Sequence, residues 1–151
     1  MLSGLKVLVT GASSGIGRSS ASVLAAHGAT VFGTGRNEAA LKECTFLSGY
    51  AVASLTDENA AEQVVNSAVE KMGGLTTVVN CAGVLQGGAM GTVGLDNFHY
   101  NFSANVQAVF EVMQHSIPHL KKEKENSPSI VNISSVNGKQ AFAGCATYCA
   151  R

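Results

Sequence analysis

Short apolar runs alternate with amphipathic helical stretches along the whole chain, and that alternation leaves few folds open. Lys6–Thr10 reads as a buried strand, Thr30–Thr34 as a second, Tyr50–Ala53 as a weaker third, Thr76–Asn80 as a fourth and Ser129–Ser134 as a fifth. The intervening segments carry helical signals. One helix spans Ile16 to Ala26 and stops at Gly28. A second is expected to open at Thr56 as N-cap, with Asp57 and Glu58 favouring its positive end and Ala61, Val64, Val65, Ala68 and Met72 on one stripe before Gly73-Gly74. A third is expected from Asn101 to Lys122, with Phe102, Val106, Val109, Phe110, Met113, Ile117 and Leu120 at helical spacing. Strands separated by helices pair in parallel through right-handed crossovers. The expected fold is α/β, a Rossmann-like doubly wound parallel sheet of five strands, in one domain over residues 1–151.

Composition narrows the partners. Apolar residues make up 46% and charged residues 13% of the 151, which suits a packed core rather than disorder. Ten basic residues balance ten acidic ones, so no charge footprint for nucleic acid or an anionic membrane is present. The opening Met1–Lys6 lacks a charged leader followed by an apolar core, and the four cysteines show no CxxC pairing. Both features lead to the expectation of reduced thiols in a cytoplasmic protein. His115 and His119 have the spacing of a metal pair, but Pro118 between them is expected to distort the helix, no third ligand is evident, and no metal is expected.

The strongest local signal is Thr10-Gly11-Ala12-Ser13-Ser14-Gly15-Ile16-Gly17, between the first strand and first helix. Gly11 permits a tight exit from the strand, Gly15 close approach of backbone to a pyrophosphate, and Gly17 close packing of helix on sheet. The N–H groups that open the helix, next to Ser13, Ser14 and Ile16, then face phosphate oxygens. A glycine-rich turn can also be merely structural; its place between strand and helix favours the phosphate reading. The second strand runs into Thr34-Gly35-Arg36-Asn37, with no carboxylate for a ribose 2′-hydroxyl before Glu38. Arg36 instead offers a planar fork suited to a 2′-phosphate, so NADP is the expected cofactor. The alternative is a solvated arginine preceding a helix.

These residues resemble the short-chain dehydrogenase/reductase family over essentially the whole chain. The glycine pattern matches Thr10 to Gly17, the NNAG motif matches Asn80-Cys81-Ala82-Gly83, and the family's helical asparagine matches Asn105. Ser135 fits the catalytic serine, with Ser134 the poorer match, and Tyr148 follows thirteen residues later as the catalytic tyrosine. The nearest branch resembles 3-oxoacyl-carrier-protein reductases and hydroxysteroid dehydrogenases. The resemblance implies hydride transfer between a nicotinamide and a small carbonyl or alcohol substrate, in a family that is usually homo-oligomeric. It assigns Asn105, Ser135 and Tyr148 to catalysis. Cofactor contacts fall to Gly11, Ser13, Ser14, Gly15, Ile16, Gly17, Arg36, Leu55, Asn80, Ala82, Gly83 and Tyr148.

The chain departs from the pattern in places. Cys81 replaces the second asparagine, and Ser54 stands where an aspartate usually precedes Leu55-Thr56-Asp57. A tyrosine's ordinary pKa near 10 is too high for basic work at neutral pH, so the role needs a nearby cation. The family supplies a lysine four residues after the tyrosine, which here is position 152, whereas Arg151 is the last residue. On a continued helix Arg151 would lie about 60° to the wrong side of Tyr148. The expectation is a C-terminally truncated domain that is poorly active alone, the alternative being an inactive nucleotide-binding module.

Overall fold

A computed structural model describes residues 2–151. Five strands form one parallel sheet: β1 (Lys6–Thr10), β2 (Thr30–Gly35), β3 (Gly49–Val52), β4 (Thr77–Asn80) and β5 (Ser129–Asn132), in the order β3-β2-β1-β4-β5. The ladders run in step, Val7 opposite Val31 and Thr77, and Val78 opposite Ile130. All five expected strands are present, within a residue or two of their expected bounds. The strand period of two sorts side chains between two cores. Leu8 and Val78 enter one face with Val64, Val65, Val112 and Leu120. Val7, Val9 and Val79 enter the other with Ala21, Val31 and Leu41. Both faces are covered, which is why the strands read as nearly continuous apolar runs.

On the first face lie α3 (Ala60–Met72) and α5 (Ala108–Leu120); on the second lie α1 (Gly15–Ala26) and the short α2 (Glu38–Lys42), whose Asn37 side chain caps Ala40 N. α3 opens three residues later than the sequence suggests, with Asn59 rather than Thr56 at its N-cap. Thr56 does not cap it: its hydroxyl pairs with Ser54 Oγ at 2.8 Å, and residues 55–59 form turns that end on Asn59 at φ 58°. A polar side chain that finds a local partner competes with the helix start.

The third helical run also departs from expectation. It begins at Leu95, as α4 (Leu95–Phe102), and passes through a π-helical segment (Ser103–Gln107) before becoming α5. Pro118 does not break α5, which continues to Leu120 between and past the two histidines. Its buried face is Ala108, Val112, Ser116 and Leu120; of the expected stripe Leu120 is buried, whereas Val106, Phe110 and Ile117 are 42%, 58% and 41% exposed. The π segment carries an extra residue in its turn and rotates everything after it relative to a uniform helix. β5 is an edge strand, with Val131 and Ile133 also exposed. No helix among the described residues is long and apolar enough to cross a membrane.

Candidate active site

The chain order reverses between β1 and β4, since β2 and β3 lie to one side of that pair and β5 to the other. At such a switch point the loops leaving the two strands diverge and open a crevice at their C-terminal ends. Here the loop from β1 is the glycine turn and the loop from β4 is Cys81–Gly94. Thr10 ties them together at the base, its Oγ1 accepting from Cys81 N at 3.1 Å and Ala82 N at 3.0 Å. Between them lies a cleft of about 260 Å³.

Two glycines show why this turn cannot carry larger residues. A Cβ on Gly17 would run into the Gly11 carbonyl, with Gly11 C at 2.7 Å and Thr10 O at 3.0 Å. Those are backbone atoms, which cannot swing aside as a side chain can. Gly15 differs: its Cβ would meet nothing within 4 Å, and its requirement is conformational, at φ 52°. The first bond of α1 runs from Arg18 N to Ser14 O, so the N–H groups of residues 15–17 precede any intrahelical acceptor. Ser14 is the N-cap but makes no capping bond with its hydroxyl. An open cradle with free donors fits the diphosphate of a dinucleotide. Gly17→Ala is therefore expected to weaken dinucleotide binding by about tenfold or more and to cost about 1–3 kcal/mol of stability, as overpacking does. Gly15→Ala is expected to cost only about 1 kcal/mol, the penalty of a left-handed residue with a side chain. Cofactor fluorescence titrations and thermal melts on both variants separate the two cases; equal effects would contradict the steric account.

Ten expected cofactor contacts border this cleft: Gly11, Ser13, Ser14, Gly15, Ile16 and Gly17 from the turn, Arg36 from the end of β2, Leu55 beyond β3, and Ala82 and Gly83 beyond β4. Asn80 does not line it. Its buried side chain donates from Nδ2 to Asn132 Oδ1 at 2.9 Å, linking β4 to β5, and its own Oδ1 has no partner among the described residues. Cys81, in the wall, is a free thiol whose pKa is pushed up by burial, with a Ser20 hydrogen bond pulling the other way. That keeps it neutral beside a cradle meant for anions. Ser54 and Thr56 border the cleft too, engaged with each other.

Asn105 sits inside the π segment and grips the β4 loop with its amide, Nδ2 donating to Val84 O at 2.9 Å and Oδ1 accepting from Val84 N at 2.8 Å. Gly83 must be glycine for this approach, since a Cβ there would lie 2.9 Å from Asn105 Oδ1. Ser135 ends the stretch beyond β5 and caps a 3₁₀ turn (Val136–Gly138), its Oγ accepting from Asn137 N at 3.2 Å. Tyr148 is half-buried on α6 (Ala146–Cys149), which packs against that turn. Helix α6 stops at Cys149, so Arg151 is not carried around it; its guanidinium folds over the Tyr148 ring, 3.8 Å from the centroid.

Sequence reasoning missed two groups here. Tyr100 and Ala104, one helical turn apart, border the cleft, and Arg36 Nη1 donates to Tyr100 Oη at 2.9 Å. Nothing local in the sequence signals a pair 64 residues apart. The other is a buried network behind Tyr148. Asn101, fully buried, donates to Thr147 Oγ1 at 3.2 Å and to Gln86 O at 3.3 Å, and Thr147 donates to Asn97 Oδ1 at 2.6 Å. A parallel bridge between Gly88 and Cys145 joins the same two segments.

A doubly wound sheet with a glycine cradle at its switch point defines a dinucleotide-binding domain. The sequence profile described as short chain dehydrogenase matches residues 5–151. The chain belongs to that family. It is 34% identical to a 2,5-dichloro-2,5-cyclohexadiene-1,4-diol dehydrogenase of Sphingobium indicum, over 99% of this chain and 62% of that protein. It is 31% identical to a 3-oxoacyl-[acyl-carrier-protein] reductase of Thermotoga maritima, over 99% of this chain and 63% of that one. Among solved structures, a short chain dehydrogenase from Burkholderia cenocepacia in complex with NADP superposes with a TM-score of 0.88 at 31% identity, covering 99% of this chain and 63% of that one. The chain thus spans about three fifths of the length of these relatives.

Proposed function

We propose that this chain is the NADP(H)-binding part of an oxidoreductase that moves hydride between a nicotinamide and a small carbonyl or alcohol substrate. The observation that carries the cofactor choice is the charge of the cleft. Among the described residues, Arg36 is the one charged residue lining it, and no Asp or Glu lines it. A carboxylate there would accept from a ribose 2′-hydroxyl and repel a 2′-phosphate; a guanidinium does the reverse. The glycine turn, with Ser13, Ser14 and Ile16, would hold the diphosphate, and Leu55, Ala82 and Gly83 would border the adenosine and ribose. When bound, the nicotinamide supplies the hydride chemistry.

Tyr148 would exchange a proton with the substrate oxygen, and Ser135 would hold that oxygen by a hydrogen bond. Asn105 would keep the β4 loop against the helix and provide for a water in the proton path. Asn80 lies away from the cleft and acts through Asn132. This reading takes residues 1–151 as an incomplete domain of a cytoplasmic enzyme without nucleic-acid or membrane partners. The exposed Val106, Phe110 and Ile117 would meet another subunit or another part of the protein.

The test is a pair of titrations with NADPH and NADH on the full chain, with Arg36→Ala alongside. A charge-assisted bond to phosphate contributes about 1.5–3 kcal/mol, so NADPH is expected to bind roughly tenfold to a hundredfold tighter, and Arg36→Ala to erase the difference. Equal affinities indifferent to the substitution would remove Arg36 from the site and leave NAD(H) as the better ligand.

A further inference from the structure

Arg36 leaves the end of β2 and Tyr100 projects from α4, yet both border the same cleft and are joined by the 2.9 Å bond from Arg36 Nη1 to Tyr100 Oη. The bond uses one corner of the guanidinium. Among the described residues Arg36 makes no other hydrogen bond or ion pair, so its Nε–Nη2 edge is free. Two parallel N–H groups on one edge are the geometry that takes two oxygens of a phosphate. The phenol oxygen accepts from Arg36 and keeps its own O–H, a further donor at the same place. Arg36 itself is exposed on a turn, and without a partner its long side chain would have many rotamers open to it.

We propose that Tyr100 is a specificity-determining residue for a phosphorylated dinucleotide: it fixes the guanidinium plane of Arg36 across the cleft and offers a donor to a third phosphate oxygen. The inference rests on Arg36 meeting the 2′-phosphate. The alternative role for the same bond is a competitor that occupies Arg36 and must break before the cofactor enters. The two roles have opposite signs. A positioning bond strengthens binding of the phosphorylated cofactor, and a competing bond weakens it.

Tyr100→Phe keeps the ring and removes only the hydroxyl, so it isolates the bond. The full chain, Tyr100→Phe, Arg36→Ala and the double variant are titrated with NADPH and NADH by nicotinamide fluorescence. Adenosine 2′,5′-bisphosphate and adenosine 5′-monophosphate, as competitors, report the phosphate subsite without the nicotinamide. Tyr100→Phe is expected to weaken NADPH and the bisphosphate about three- to tenfold, in line with losing a pre-ordered side chain. NADH and the monophosphate should be unchanged, which also shows that the variant is folded. The double variant should be no less selective against NADH than Arg36→Ala alone, because the two residues act as one unit. Tyr100→Phe that alters neither cofactor, weakens both equally or tightens NADPH overturns the proposal while Arg36→Ala still tests the cofactor reading. If Arg36→Ala itself leaves the NADPH-to-NADH ratio unchanged, the cofactor reading fails and the role of Tyr100 fails with it.

Discussion

A polypeptide of residues 1–151 is expected to hold NADPH yet pass its hydride to simple ketones or quinones slowly, at rates within about tenfold of its own Tyr148→Phe variant. General acid–base catalysis usually contributes about 10²–10⁴ in rate, and it does so only when the acid is tuned and aimed. The cation at Tyr148 is Arg151, and its guanidinium carbon stands 3.8 Å from the ring centroid, over the face of the ring rather than beside the hydroxyl. That contact is a cation–π attraction, which holds the ring. Ser135 Oγ already accepts from Asn137 N, though its own proton remains free for a substrate oxygen. Substrate positioning is worth at least as much as proton transfer, and the chain spans 62% of its relative's length. The measurement is NADPH oxidation with several ketones, comparing the chain with Tyr148→Phe. Fast turnover abolished by that substitution would overturn the expectation and make Arg151 a sufficient partner for the tyrosine.

The strands and the glycine cradle were legible in the sequence because their signals are local. Val7–Val9 is apolar over consecutive positions, and two glycines of the turn answer to nearby chain, Gly17 to a clash with Gly11 and Thr10 and Gly15 to its own φ of 52°. The third helical run was legible only as a helix. Its start at Leu95 carries Asp96 and Asn97 in the first turn, which break the apolar period. The π segment leaves no compositional mark, yet it decides which face of the following helix is buried: Ser116 goes inside while Phe110 stays out. Asn105 was visible only through family resemblance, and the structure adds its clamp on Val84. Tyr100 was invisible, since its meaning depends on Arg36 arriving from another strand. The start of α3 turned on a single choice, the Thr56 hydroxyl pairing with Ser54 instead of capping. Sequence periodicity reports burial; the Arg36–Tyr100 and Asn105–Val84 pairings join distant segments, and the Thr56–Ser54 bond is a local polar contact that periodicity does not register.

Asn101→Ala is expected to be the most destabilising substitution outside the apolar cores, by about 3 kcal/mol. The side chain is fully buried and its two N–H groups serve four acceptors: Gln86 O at 3.3 Å, Asn97 O and Oδ1 at 3.0 Å each, and Thr147 Oγ1 at 3.2 Å. Its Oδ1 also receives a long bond from Gln86 N at 3.5 Å. Alanine would leave the Gln86 carbonyl without this donor and the buried Thr147 with one partner fewer. Four residues on, Asn105 makes shorter bonds to Val84 but is only half-buried, so water can replace part of what Asn105→Ala removes. The smaller effect is therefore expected at the residue with the better hydrogen bonds, because desolvation rather than bond length sets the cost. Thr147→Val keeps the shape, removes the 2.6 Å bond to Asn97, and should cost about 1–2 kcal/mol. Urea unfolding of the three variants gives the comparison, read as a shift in midpoint at constant slope. Thermal melts should follow, with Asn101→Ala lowering Tm by about 6–12 °C in a chain of this size. Loss at Asn105 exceeding that at Asn101 would show that the Asn101 pocket admits water, and that α6 and Tyr148 are held by the apolar contacts around them rather than by this network.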